Sequence, residues 1–109
     1  GFATNPTTSR GTTALKPGMI TTNEPGVYIE GEYGIRIENI LLCKDLENGF
    51  LTFEDLTLFP ISQQLIDSSL LNQDEKEWFN NYHRLVWNGL SPLISDDEKI
   101  WLQQQCSPI

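Results

Sequence analysis

Hydrophobic residues follow two different periods along the chain, and the change falls near Pro60. Before that point, short runs of β-branched and aliphatic residues alternate with turn residues, which predicts β-strands. The runs are Met19–Thr22, Val27–Glu30, Ile35–Leu42, Phe50–Phe53 and Leu56–Phe59. After Pro60, apolar residues recur at helical spacing. The pattern therefore predicts an α+β protein in which antiparallel strands precede helices.

The segments between the predicted strands contain residues that favour turns. Pro25 cannot donate to a β-ladder, so the sequence Asn23–Gly26 marks a break that re-aims Glu24. The segment Glu30–Gly34 contains glycines that can adopt positive φ, and Asn48-Gly49 favours a tight hairpin. The stretch Gly1–Lys16, rich in Thr, Ser, Gly and Pro, is predicted to be a loop that leads into the first strand.

Two capping boxes mark the starts of two predicted helices. Asn72 with Glu75 and Ser95 with Glu98 have the required three-residue spacing. Apolar and aromatic residues at helical spacing follow the first box: Trp78, Phe79, Tyr82, Leu85, Val86, Leu90 and Leu93. Pro92 is expected to end or kink this helix. The second helix is expected to direct Ile100, Trp101 and Leu102 inward, which makes a helical hairpin.

Two carboxylates interrupt the apolar strands. If the hairpin closes, Glu24 and Glu38 come close across neighbouring strands, and Arg36 shares a face with Glu38 because strand side chains alternate. Two like charges held together require a cation, a shared proton or water. Arg36 could neutralise or orient a carboxylate. The alternative is that both glutamates lie on the solvated face of an ordinary hairpin.

Composition and charge exclude several classes of function. The 109 residues suffice for one compact domain, and a net charge of −8 argues against binding to nucleic acid or to anionic membranes. With no basic n-region, apolar h-region or long apolar run in the sequence, we expect neither a signal peptide nor a membrane span, and the start at Gly1 suggests a cut point. Cys43 and Cys106 do not form a disulfide framework, so we expect free thiols in a reducing cytoplasm.

One string of residues resembles a known family. Asn-Glu-Pro-Gly-x-Tyr at Asn23–Tyr28, followed by Gly-Ile-Arg-Ile-Glu-Asn at Gly34–Asn39, is similar to the end of the active site of the pita-bread metallopeptidases. This clan includes aminopeptidase P, prolidase and methionine aminopeptidase. Lys16-Pro-Gly-Met19 belongs to the same pattern. Together these motifs are specific, whereas each alone is weak.

The second half of the chain resembles the C-terminal extension of long aminopeptidases P. The similar segments are Phe50–Ile61, Leu65–Asp67, Trp78–His83 and the closing Ser107–Ile109. Short aminopeptidases P, prolidases and methionine aminopeptidases lack this extension. The resemblance therefore implies the C-terminal part of a pita-bread catalytic domain over residues 1–59 and a helical extension over residues 60–109.

The resemblance also implies a site. In the family, two Asp, one His and two Glu hold two divalent metals, commonly manganese, which activate a water for attack on the scissile carbonyl. Glu24 resembles the Glu that binds metal and acts as general base, and Glu38 resembles the Glu that bridges the metals. Tyr28 and Arg36 resemble the pair that hydrogen-bonds a metal-binding Asp. Tyr28 as a simple sheet aromatic is the alternative.

The family's remaining ligands precede the motifs found here. The only histidine, His83, is expected to be a half-exposed helix residue rather than a metal ligand. The chain alone is therefore expected to bind no metals and to be inactive. The whole protein is expected to be a cytoplasmic, homodimeric Xaa-Pro aminopeptidase that acts on peptides with proline at the second position. Trp78, Trp87 or Trp101, if exposed, would mark the dimer contacts; the alternative is that these aromatics close the small core. A non-catalytic pita-bread interaction module and a prolidase-like dipeptidase are the alternatives.

Overall fold

The computed structural model describes residues 12–109, which form two compact units. The first unit ends at Thr57 and consists of β-strands, whereas the second runs from Leu58 to Ile109 and is helical. The predicted α+β class, with strands before helices, is confirmed. Residues 1–11 of the predicted N-terminal loop lie outside the described part, and residues 12–19 contain neither helix nor strand.

Residues 12–57 of the first unit contain five strands. They are β1 (Ile20–Asn23), β2 (Gly26–Ile29), β3 (Tyr33–Arg36), β4 (Asn39–Leu46) and β5 (Phe50–Asp55). Strands β2 and β3 form an antiparallel pair, and β1, β4 and β5 form an antiparallel sheet with β4 in the centre. The predicted single strand Ile35–Leu42 is wrong, because Ile37-Glu38 divides it into β3 and β4.

Turn residues close the hairpins as the sequence indicates. Gly31, with φ of 75°, lies in the turn between β2 and β3. Asn48 and Gly49, with φ of 74° and 79°, lie in the turn between β4 and β5. Both turns use the left-handed region, which glycine and asparagine tolerate best. The predicted tight turn at Asn48-Gly49 is confirmed.

The predicted strand Leu56–Phe59 is wrong, because β5 ends at Asp55. The backbone N–H of Leu56 still donates to the carbonyl of Ile40 at 2.8 Å. The N–H of Ile40 then donates to the Thr57 hydroxyl at 2.8 Å. A side-chain oxygen thus replaces the backbone acceptor, and the ladder stops there.

Both predicted helix starts are confirmed. Helix α1 (Gln73–Leu90) follows the Asn72 cap, and α2 (Asp96–Gln105) follows the Ser95 cap, each with a complete capping box. Acidic residues in each first turn suit the helix dipole. Helix α1 ends two residues before Pro92, as the sequence predicts. Neither helix has the length and apolar character that crossing a membrane requires, as far as the described residues extend.

The core of the helical unit is small. Tyr82, Val86 and Leu102 form its fully buried cluster, and the Tyr82 hydroxyl donates to the carbonyl of Phe59 at 2.9 Å. The expectation that Ile100 and Trp101 point inward with Leu102 is wrong: their exposed fractions are 60% and 49%. Consecutive helix residues are about 100° apart, so three in a row cannot face one core.

His83 is buried rather than half-exposed, which corrects the sequence expectation. Its exposed fraction is 1%, and its ring contacts Phe79 at a centroid distance of 4.2 Å. The backbone N–H of Ile61 donates to His83 Nε2 at 3.0 Å, which places the proton of the neutral ring on Nδ1. The buried Nδ1 has no hydrogen-bond partner among residues 12–109. Burial lowers the pKa of His83 below its usual range.

This burial predicts acid sensitivity of the helical unit. A proton on Nε2 would break the bond from Ile61, so the unfolded state takes up the proton first as pH falls below about 6.5. Stability is therefore complete above that pH and falls below it, by at most about 1.4 kcal/mol per pH unit for one proton. All three tryptophans lie in this unit, so tryptophan fluorescence of the 109-residue chain reports its unfolding in urea.

We expect a lower urea midpoint at pH 5.5 than at pH 7.5 for the natural sequence. The variant His83→Gln, which keeps a polar side chain but cannot titrate, should lose this difference. A midpoint that does not change with pH in the natural sequence would mean that the buried imidazolium is tolerated.

Candidate metal centre

The two strand breaks, Glu24-Pro25 and Ile37-Glu38, lie opposite each other in the first unit. The residue pairs that flank them are Asn23 with Asn39 and Gly26 with Arg36. Both ladders have the same register, so continuing the pairing across the break places Glu24 opposite Glu38. Opposed Cα atoms in antiparallel strands lie about 4.5–5.5 Å apart. The prediction that these carboxylates approach each other across the hairpin is supported by this register.

The hydrogen bonds of the break bring the glutamate side chains closer still. The N–H of Ile37 donates to the carbonyl of Pro25 at 3.3 Å, and Pro25 has no N–H to return the bond. Pro25 and Ile37 therefore form a pair of the hydrogen-bonded type, in which one of the two bonds is missing. The neighbouring pair, Glu24 with Glu38, is then of the non-hydrogen-bonded type, in which side chains approach most closely.

Arg36 is the cation between the two carboxylates. Its Nη1 lies 2.8 Å from Oε2 of Glu24, and its Nε lies 3.7 Å from Oε2 of Glu38. The Thr22 hydroxyl donates to the other oxygen of Glu24 at 2.7 Å. Side-chain exposure of 45% for Glu24 and 42% for Glu38 leaves both carboxylates accessible to a ligand. The pair is thus clustered and solvent-accessible at once.

The donor set fits part of a divalent metal site. Glu24 and Glu38 are hard oxygen donors, which suit manganese or magnesium. Within residues 12–109, however, no group of three or more His, Cys, Asp or Glu side chains could hold a metal. The remaining ligands of a two-metal site would have to come from other residues of the protein. Two carboxylates fit such a site but do not complete it.

Tyr28 lies on the same face of the hairpin as the charged cluster. Strand alternation puts Tyr28 and Gly26 on the face of Glu24, and their partners Gly34 and Arg36 share it. The Tyr28 ring covers both glycines, and 66% of the residue is exposed. The four predicted site residues, Glu24, Tyr28, Arg36 and Glu38, are therefore gathered on one face.

The structure adds site neighbours that sequence reasoning missed. Asn39, next to Glu38, is buried to 7% exposure and donates from Nδ2 to Oδ1 of Asp55 at 2.9 Å. This bond ties the start of β4 to the end of β5. Asn39 ends the motif Gly34–Asn39 on which the family resemblance rests, and this membership was the sequence signal for its role. For Thr22, the signal in the sequence was its position two residues before Glu24, which places both side chains on the same face of the chain.

The two cysteines are free, as predicted: Cys43 is buried in β4, and Cys106 follows α2 half-buried. Burial raises the pKa of the Cys106 thiol. The described residues accordingly contain no disulfide.

Family models match almost the whole chain. The model of metallopeptidase family M24 matches residues 2–45, and the model of the C-terminal region of peptidase M24 matches residues 49–109. The chain belongs to metallopeptidase family M24. The first match contains all four predicted site residues, and the second contains both helices.

Relatives in this M24 family place the chain within longer proteins. "Probable Xaa-Pro aminopeptidase P" of Coprinopsis cinerea is 47% identical over 89% of this chain, which spans 17% of that protein. The protein of the same name from Laccaria bicolor is 43% identical over 89% of the chain, which spans 16% of it. The chain therefore spans about a sixth of the length of these curated relatives.

A solved M24 structure has the same fold. The crystal structure of X-prolyl aminopeptidase from Caenorhabditis elegans, described as "a cytosolic enzyme with a di-nuclear active site", matches with a TM-score of 0.74 and 38% identity. The match covers 87% of this chain and 17% of that one. The fold of this chain is accordingly the C-terminal part of a pita-bread domain followed by a helical hairpin.

Proposed function

We propose that the chain is the C-terminal part of a metal-dependent Xaa-Pro aminopeptidase. One observation carries the proposal: Glu24 and Glu38 lie opposite each other with Arg36 between them. They lie at a strand break within the segment that matches the M24 family model. The full protein would release the N-terminal residue of peptides that have proline at the second position. Both relatives above are named as Xaa-Pro aminopeptidases, which supports this substrate class.

Each site residue has a proposed role. Glu24 would hold a metal and take the proton of the attacking water as general base, while Glu38 would hold both metals. Arg36 and Tyr28 would hydrogen-bond a metal-binding Asp elsewhere in the protein and keep the carboxylates in place. Two divalent ions, which we propose to be Mn²⁺, would supply Lewis-acid polarisation and a nucleophile at neutral pH when bound.

Beyond the site, we propose that residues 1–59 complete the catalytic domain and residues 60–109 form the extension. The extension would help to form a homodimer through its exposed aromatic side chains. Trp78 and Trp101 are about half exposed, whereas Trp87 is more buried. The strongly acidic charge argues against nucleic acid as a partner and against anionic membranes. A cytoplasmic location agrees with the description of the Caenorhabditis elegans enzyme as cytosolic.

The test compares the full-length protein with the 109-residue chain. We expect the full-length protein to release the N-terminal residue from an Xaa-Pro-Xaa tripeptide when manganese is added. The 109-residue chain should show no turnover and no manganese binding by calorimetric titration, because two carboxylates alone hold a dinuclear site poorly.

Other outcomes would select the alternatives. Cleavage of Xaa-Pro dipeptides in preference to tripeptides would indicate a prolidase-like dipeptidase. A folded full-length protein that binds no divalent metal and cleaves neither substrate would be a non-catalytic pita-bread interaction module. Turnover by the 109-residue chain itself would contradict the proposed division of ligands.

A further inference from the structure

Two glycines lie directly beneath the ring of Tyr28. Gly34 is the cross-strand partner of Tyr28, and Gly26 precedes Tyr28 by two residues on the same strand and face. A Cβ atom at Gly34 would lie 2.5 Å from Cδ1 of the tyrosine. A Cβ atom at Gly26 would lie 2.7 Å from its hydroxyl oxygen and 2.8 Å from Cε2. The ring therefore lies flat on the backbone of the hairpin, in space that only glycine leaves free.

The backbone does not require glycine at either position. Positive φ occurs at Gly18, Gly31 and Gly49 among the described glycines, but not at Gly26 or Gly34. Both residues lie in regular strands, where glycine is less favourable than alanine. The missing side chain, rather than backbone freedom, is thus what these positions use.

The glycines also fix where the tyrosine hydroxyl lies. The ring extends from Gly34, beneath Cδ1, to Gly26, beneath the hydroxyl. Gly26 is the cross-strand partner of Arg36, which holds Glu24 at 2.8 Å. The glycines therefore aim the hydroxyl along the hairpin toward the strand break that carries the two glutamates.

We propose that Gly26 and Gly34 are positioning residues, which act by seating the Tyr28 ring so that its hydroxyl points to the metal-holding face. This inference rests on the proposed function. Within residues 12–109, 66% of Tyr28 is exposed, so an added methyl group would lift the ring without crowding the core of this chain. Loss of function and loss of stability are therefore expected to separate, which distinguishes a positioning role from a structural one.

The experiment is a double-mutant cycle in the full-length protein with manganese. We expect Gly34→Ala to lower kcat about 10–100-fold, the range for groups that orient metal ligands, with little change in melting temperature. Tyr28→Phe should lower kcat to a similar degree. In the Tyr28→Phe background, Gly34→Ala should cause no further loss, because the hydroxyl that it misplaces is already absent. Tyr33→Phe, on the opposite face of the hairpin, is the matched control and should keep full activity.

Three kinetic results would overturn the proposal. Full activity of Gly34→Ala would mean that the position of the Tyr28 ring does not affect catalysis. Full activity of Tyr28→Phe would mean that the Tyr28 hydroxyl does not affect it. An undiminished loss from Gly34→Ala in the Tyr28→Phe background would mean that the glycine acts through another group.

A second readout separates this inference from the proposed function. Fluorotyrosine incorporation gives a ¹⁹F signal for residue 28, assigned by its disappearance in Tyr28→Phe. That signal should shift in Gly34→Ala whether or not the protein cleaves any peptide. If the natural protein is inactive but the signal shifts, the seating of the ring stands and the enzymatic function fails. An unchanged signal overturns the seating itself.

Discussion

Replacing Glu24 by glutamine in the full-length protein should lower kcat for an Xaa-Pro tripeptide by about 10²–10⁴-fold, the usual contribution of a general base. Glutamine keeps the size of the side chain and can still accept from Thr22, which lies 2.7 Å from the present carboxylate. It cannot take a proton from water and binds a metal poorly. Steady-state kinetics with saturating manganese measure the loss.

Stability should hardly change in this variant. The ion pair with Arg36 is lost, but both side chains are nearly half exposed, and such pairs contribute about 0–1 kcal/mol. Glu32→Gln, in the turn of the same hairpin, is the matched control and should retain full activity. Activity within a factor of a few of the natural protein would remove Glu24 from the proposed mechanism.

Replacing Glu38 by glutamine should act on the metals themselves. Partners that only orient metal ligands change affinity about 10–100-fold, so loss of a direct ligand should weaken manganese binding by at least about 100-fold. Calorimetric titration of the full-length protein would measure both affinity and stoichiometry. Activity should fall with the bound metal and recover in part at high manganese concentration.

The same substitution should not destabilise the protein without metal. Glu38 faces Glu24 across the strands, and like charges directly opposite each other are destabilising. Arg36 keeps its closer partner, Glu24, in the variant. The control is Glu54→Gln, which removes another exposed carboxylate of the same unit, ion-paired to Lys44 at 2.6 Å. Unchanged metal affinity in Glu38→Gln, with the control also unchanged, would contradict the assignment.

The approach of the candidate site residues could be predicted from the sequence because a hairpin is a local structure. Glu24 and Glu38 are joined by a short chain with turn glycines in its middle, so closing the hairpin nearly fixes their approach. What the pattern did not provide was the break in the partner strand at Ile37-Glu38. That break depends on the missing N–H of Pro25 across the ladder, which no pattern within the strand Ile35–Leu42 reveals.

The sequence by itself determined the helix starts, the turns and the order of strands and helices. Asn72 and Ser95 bond residues three positions away, and Asn48-Gly49 sets its own backbone, so neighbours in sequence suffice. Only the tertiary structure decided which apolar or polar residue of a helix is buried.

His83 is buried, and Ile61, 22 residues earlier, supplies the backbone N–H that its Nε2 accepts. Likewise, the Tyr28 ring can occupy its observed position only when Gly34 of the partner strand lies beneath it. The burial of His83 depends on a contact between segments that are distant in sequence, and the placement of the Tyr28 ring depends on the pairing of two strands, so neither is set by the immediate sequence neighbours of the residue.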